Sequence, residues 1–162
     1  MTLDAATCDS PAGPLSILAR DGVIVAAGFG SVDEMSARVG DDAVPRRDLG
    51  QISRAMSAYF AGDLTAMDDL PVEQPGGDFF QAAWKVMREV PAGQTITYTE
   101  LAARAGRPRA VRAAGSACAR NLIAPIIPCH RILRAGGTVG GYYYGLSTKS
   151  WLLEHERKHA TR

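Results

Sequence analysis

The residues of this chain best equipped for chemistry stand together in Ile127-Pro128-Cys129-His130-Arg131-Ile132. Cysteine reacts as its thiolate, so a working cysteine needs a base or a positive field beside it. His130 offers the first and Arg131 the second. Pro128 removes a backbone donor and biases Ile127 away from helix, which suits a cysteine held at a turn in a cleft. Glu156 could hydrogen-bond the imidazole and fix its tautomer, giving a Cys129-His130-Glu156 relay. A structural cysteine beside a surface histidine fits the same residues, and a bare Cys-His pair does not decide between the two.

Metal binding is the competing chemistry. Cys8, Cys118, Cys129, His130, His155 and His159 are ligand types, and His155 and His159 stand four apart near the C-terminus. No spacing specifies a third ligand, so no metal is expected.

The elements that must position these groups are readable in outline. Pro14 to Arg20 and Val23 to Phe29 are apolar, strand-like runs around Asp21-Gly22, a two-residue hairpin signal. Residues 31 to 47 read as a loop or a short helix. Asp48, three before Gln51, resembles a capping-box start for a helix through Ile52, Ala55, Met56, Tyr59 and Phe60, ending at Gly62. Residues 62 to 77, with two prolines and three glycines, read as a linker. Asp78 is expected to cap a helix whose Phe80, Ala83, Trp84 and Met87 share a face. Thr97 and Glu100 form a capping box for a short helix stopped by Gly106. Arg107-Pro108 would open the next helix, running to about Ala119. Two short helices around a glycine-containing turn have the shape of a helix-turn-helix. The second is nearly bulkless (Ala110, Ala113, Ala114, Gly115, Ser116, Ala117, Ala119), which lets its axis approach a protein core or a DNA groove closely. Ala124 to Leu133 is a strand-like run interrupted at Pro128 to Arg131, and Ser147 is the expected cap of a last helix carrying Trp151, Leu152, Leu153 and Glu156.

Composition bounds the function classes. The 162 residues are 46% hydrophobic and 22% charged, as expected of a globular protein of one large or two small domains. No apolar run approaches the ~20 residues that span a bilayer. The first residues lack a basic and an apolar signal region, and three cysteines without disulfide-like spacing fit a reducing cytosol; a cytoplasmic location is expected. Net charge is only +1, yet residues 104 to 134 hold Arg104, Arg107, Arg109, Arg112, Arg120, Arg131 and Arg134 with no acidic residue. That is the footprint a phosphate backbone wants, or a solvated arginine face.

Around this frame the chain resembles the methylated-DNA–protein-cysteine methyltransferases, also called O6-alkylguanine-DNA alkyltransferases. The Ile-Pro-Cys-His-Arg-Ile stretch is similar to that family's active-site signature. In order and spacing, Phe80-Gln81-Ala82-Ala83-Trp84, Pro91 to Tyr98, Arg112 to Ala117, Asn121 and Trp151 to Glu156 agree with it. The likeness is strong over residues 79 to 157. It is weaker over residues 10 to 62, through Ser10 to Leu15 and Tyr59 to Gly62. It implies an α/β (α+β) fold: an N-terminal ribonuclease-H-like α+β domain over residues 1–72, with linker from about 62, and a mainly helical C-terminal domain over 78–162 with a winged-helix-like helix-turn-helix.

The resemblance also implies roles. Cys129 would accept a methyl or other alkyl group from O6-alkylguanine, and from O4-alkylthymine, in duplex DNA, activated through a water by His130, with Glu156 orienting the imidazole. Asn121 would brace the turn. Tyr98 would meet the target phosphate, Arg112 would fill the gap left by the extruded base, and Ala113, Gly115 and Ser116 would lie in the minor groove. Extrusion is needed because a thiol cannot reach a base inside the stack. The thioether product is permanent, so each molecule acts once, without a cofactor, as a monomer in solution with cooperative loading on DNA left open. Tyr142 matches the expected pocket wall. Tyr143 and Tyr144 depart from the small residues usual there, either narrowing the pocket or stacking outward. Asn121-Leu122 replaces the usual Asn-Pro pair, with Pro125 nearby. Two rivals keep the DNA and lose the chemistry: an alkyltransferase-like lesion sensor, a kind that lacks the acceptor cysteine, and a helix-turn-helix regulator with an incidental thiol.

Overall fold

The computed structural model describes residues 2–160, and none of their helices is long and apolar enough to cross a membrane. The chain divides into two units. One holds the residues up to Gln74 together with Leu122–Ile126; the other holds Pro75–Asn121 and the chain from Ile127 onward.

The first unit is built on a four-stranded sheet in the order β3-β2-β1-β4, from β1 (Leu3–Cys8), β2 (Leu15–Arg20), β3 (Val23–Gly28) and β4 (Ala43–Pro45). β2 pairs antiparallel with both β1 and β3, and β4 lies parallel to β1. The expected hairpin is present. Asp21 (φ 52°) and Gly22 (φ 80°) adopt the two left-handed conformations of a tight turn that matches strand twist. Residues 31 to 47 resolve into a helix and a strand. In α1 (Val32–Val39), Ser31 and Glu34 cap each other's backbone N–H groups, and Gly40 ends the helix in a left-handed conformation. α2 (Gln51–Phe60) begins at Gly50 instead of at an Asp48 cap; Asp48 accepts from the Gly50 N–H, and Ser53 accepts from that of Leu49. The core gathers Leu3, Leu15, Ile17, Ile24, Met35, Met56 and Tyr59.

Residues 62–74 are not a loose linker. Their turns bury Leu64, Met67 and Leu70, three apart, and bring residues 71–73 to the outer edge of β3, where Ile24 donates to Pro71 (2.9 Å) and accepts from Glu73 (2.9 Å). Farther along that edge sits Leu122–Ile126: Ala27 donates to Leu122 (2.8 Å) and accepts from Ala124 (3.0 Å), while the Gln74 amide oxygen accepts from the Leu122 N–H. Two borrowed segments thus occupy a strand edge that would otherwise offer open backbone groups.

The second unit is mainly helical: α3 (Asp78–Glu89), β5 (Ile96–Thr97), α4 (Tyr98–Arg104), α5 (Val111–Ala119), a 3-10 turn (Cys129–Arg131), β6 (Ile132–Leu133) and α6 (Leu146–His159). α3 is preceded by Gly77, so Asp78 is its first residue and not its cap. The Thr97–Glu100 capping box forms as read. Pro108 does not open α5. It sits inside a turn closed by the Ala110 N–H and the Arg107 carbonyl, the position where its fixed φ is favoured, and the helix starts at Val111. Likewise Gly145, not Ser147, precedes α6. Trp84 joins α3 to α5: its indole N–H donates to the Ala117 carbonyl (2.9 Å), one of the orphan acceptors at the end of α5.

Candidate active site

Cys129 occupies the first position of the 3-10 turn, behind Pro128 (φ −84°, ψ 67°), with its N–H on the Ile127 carbonyl at 2.9 Å. A 3-10 turn advances ~120° per residue, so its three consecutive side chains fan apart. Cys129 faces a pocket, while His130 and Arg131 both reach Glu156 on α6. Asn121 fastens the turn from the other side. Its amide N–H₂ donates to the Ile127 carbonyl at 2.8 Å and approaches the Cys129 sulfur at 3.4 Å. All four polar partners, Asn121, His130, Arg131 and Glu156, are buried.

Glu156 accepts three bonds: from His130 Nε2 (2.8 Å) and, in a fork, from Arg131 Nε (2.8 Å) and Nη2 (2.9 Å). The remaining Arg131 nitrogen donates to the Val90 carbonyl. Burial alone would push the Glu156 carboxyl up, but His130 and Arg131 outweigh it and hold the group ionised far below the usual carboxylate range. For His130, burial wins over the pull of Glu156 and lowers its basicity from the ordinary 6.5, so the ring is neutral at pH 7. A neutral ring that donates through Nε2 leaves Nδ1 as a bare acceptor, and that atom has no hydrogen-bond partner among the described residues. The arrangement is a base held in one tautomer beside a thiol.

The pocket, about 300 Å³, is lined by Tyr98, Gly115, Cys118, Ala119, Cys129, Gly141, Tyr142 and Tyr143. Tyr98 opens α4, and its phenol is pushed up to about 12 by burial, then by Cys118 and Cys129, so it remains a donor at neutral pH. On α5, Arg112, Ser116 and Ala119 are exposed, and Ala113 and Gly115 are partly so; the spacing puts Arg112, Gly115, Ser116 and Ala119 along one face. Tyr142 and Tyr143 form pocket wall, and Tyr143 is 63% exposed. The Tyr144 ring lies edge-on to both, at 5.8 Å and 4.8 Å, and supports the wall without lining it.

Three contributors escaped the sequence reading. Arg131 registers there only as charge, yet it is the second clamp on Glu156. Lys149 is fully buried and donates to the carbonyls of Ile132 (2.9 Å), Val139 (2.6 Å) and Gly141 (3.2 Å), tying α6 to the loop that carries Tyr142. A signal for it existed: Lys149, Leu152 and Glu156 share helical spacing, hence one buried face. Cys118, one turn from Gly115 on α5, places a second thiol on the pocket wall. Among the described residues no group of three acidic, histidine or cysteine side chains could hold a metal. His155 instead stacks on Trp151, with ring centres 4.7 Å apart.

Comparison with known proteins bears on both units. Residues 5–74 match the family described as 6-O-methylguanine DNA methyltransferase, ribonuclease-like domain, and residues 78–158 match the DNA binding domain of the same family. A Mycolicibacterium paratuberculosis methylated-DNA–protein-cysteine methyltransferase is 37% identical over 154 residues, covering 95% of this chain and 92% of the relative. The Shigella flexneri protein of the same name is 40% identical over 117 residues, 72% of this chain and 68% of the relative. Among solved structures, Mycobacterium tuberculosis OGT in complex with DNA superposes with a TM-score of 0.85 at 36% identity, covering 96% of this chain and 94% of the other.

Proposed function

The chain belongs to the 6-O-methylguanine DNA methyltransferase family, and from that premise we propose that it repairs DNA by direct reversal, moving the alkyl group of O6-alkylguanine, and of O4-alkylthymine, onto Cys129. The observation that carries this reading is the single arrangement of Cys129 on a pocket wall, Asn121 at its sulfur, and His130 kept neutral by burial and oriented by a carboxylate that Arg131 keeps ionised.

The step balances without a cofactor. His130 Nδ1 takes the thiol proton through a water, and the sulfur attacks the alkyl carbon. The C–S bond forms as the carbon–oxygen bond breaks, its electrons pass to the guanine oxygen, and the proton taken from the thiol returns guanine to its neutral form. Nothing in the site hydrolyses a thioether, so one molecule repairs one lesion.

DNA is the partner. The small-residue face of α5 suits the minor groove, where Ala113, Gly115 and Ser116 allow close approach and Arg112 fills the space of the extruded base. Tyr98 meets the phosphate of that nucleotide. Contacts of this kind position the protein without reading sequence. The protein acts as a monomer, in a reducing cytosol where Cys129 remains a thiol.

Intact mass after incubation with a duplex containing O6-methylguanine tests the reading. A gain of one methyl group, absent in Cys129→Ser, is expected. Unchanged mass with tight lesion binding would replace repair by lesion sensing.

A further inference from the structure

The short parallel pair β5–β6 sets two side chains next to each other at the pocket. Ile96 stands opposite Ile132 and Thr97 opposite Leu133. The next residues in register are Tyr98 and Arg134, which leave the ladder side by side. Gly140 marks how near they come: a Cβ built on it would stand 3.3 Å from Tyr98 Oη and 3.3 Å from Arg134 Cγ. The phenol and the arginine stem therefore flank one spot, which stays open because residue 140 is a glycine at φ 72°.

Arg134 is exposed, and among the described residues no carboxylate lies within ion-pair distance of it. Its backbone is fixed, with its N–H on Thr138 and its carbonyl accepting from Gly137, both at 3.0 Å. A guanidinium with no acidic partner, on an anchored backbone beside a protonated phenol, is equipped for one class of ligand: a phosphodiester, which accepts a fork from arginine and a bond from a hydroxyl.

We propose that Arg134 and the Tyr98 hydroxyl form a two-point clamp on the phosphate of the nucleotide whose base enters the pocket. This rests on the repair reading, which gives Tyr98 a phosphate contact, and adds Arg134 as its charged half. Arg134 is then a positioning residue: it holds the backbone of the extruded nucleotide while Cys129 does the chemistry.

Single-turnover alkyl transfer separates this from a structural role. Two substrates are compared, a duplex containing O6-methylguanine and the free base O6-methylguanine, which has no phosphate. Arg134→Ala should slow the duplex reaction about tenfold, the scale of one charge-assisted hydrogen bond, and the free-base reaction far less. Arg134→Lys should recover part of the loss, since it keeps the charge and loses the fork. The slope of log affinity against log salt on duplex should fall by about 1 in Arg134→Ala. A neutral methylphosphonate at the contacted phosphate, sought on each side of the lesion in turn, should slow the unsubstituted protein and add nothing to Arg134→Ala. Equal slowing on both substrates, an unchanged duplex rate, or fully additive effects at both phosphates would overturn the clamp. If the unsubstituted protein alkylates itself from neither substrate, the repair reading fails and the clamp with it; if it is active and Arg134→Ala matches it on duplex, only the clamp fails.

Discussion

Glu156 is the residue on which the site's charge balance turns. Replacing it with Gln keeps the shape but leaves the Arg131 guanidinium buried without its anion, and breaking such a pair from one side costs about 3–5 kcal/mol. Urea unfolding of Glu156→Gln should show a loss of that size, with alkyl transfer slowed as well because His130 loses its orienting partner. Proton linkage gives a second check. His130 and Glu156 are both held below their ordinary values of 6.5 and 4.5, so the unfolded chain binds more protons than the folded one as pH falls. Their contribution is full above about 6.5 and declines on acidification, the histidine's part first and the carboxylate's below about 4.5. Unfolding midpoints that rise between neutral pH and pH 5 would contradict this. At the pocket wall, Tyr143 is the ring that both lines the cavity and lies open to solvent. We propose that this ring narrows the space for an adduct: methyl should then transfer faster than benzyl, and Tyr143→Gly should raise the benzyl rate severalfold while leaving methyl transfer closer to unchanged. Faster benzyl than methyl transfer in the unsubstituted protein would refute the narrowing.

At the scale of elements, legibility followed the range of the interaction. The Asp21-Gly22 hairpin and the Thr97–Glu100 capping box are local devices, written within four residues of sequence, and both form as read. Pro108 and Ser147 misled because each has a second local use: proline favours the middle of a turn as much as the first turn of a helix, and a serine can ride inside a helix as well as cap it. β1 carries little alternation in Leu-Asp-Ala-Ala-Thr-Cys and is a strand because Leu15–Arg20 pairs with it on one side and Ala43–Pro45 on the other. Residues 62–74 looked loose because their prolines and glycines outweigh Leu64, Met67 and Leu70, whose burial depends on partners distant in sequence. Cys129 and His130 were legible as neighbours. The grip of Arg131 on Glu156, across 25 residues, was not. Lys149 belongs to the same class, since its three acceptors are carbonyls, which any residue supplies. Lys149→Met should free the loop around Val139 and Gly141, costing about 1–3 kcal/mol for acceptors left without donors. Hydrogen exchange should quicken at residues 139–142, and transfer should slow as Tyr142 loses its seat. Unchanged exchange there would show that the loop holds itself.

For the molecule as a whole, the chain path matters more than any single contact. Leu122–Ile126 belongs to the unit of the sheet, while the residues on either side, Asn121 and Ile127, belong to the unit of the site and meet each other through the Asn121 amide. Gln74→Leu removes the acceptor of the half-buried Leu122 N–H, with an expected cost of about 1 kcal/mol. Because that segment is flanked by Asn121 and Ile127, the two residues that fasten the Cys129 turn, alkyl transfer should slow with it. A variant that loses stability while keeping its full rate would uncouple the two. The same path governs how such a protein can be recombined. A hybrid spliced after Gln74 would bring a foreign sheet to a native Leu122–Ile126, and the edge of β3 would meet a stranger. Three junctions, at 74/75, 121/122 and 126/127, separate the units, so neither half travels as a cassette: exchange between lineages must carry five residues from within the catalytic half along with the sheet, or leave the sheet with an edge made for another protein.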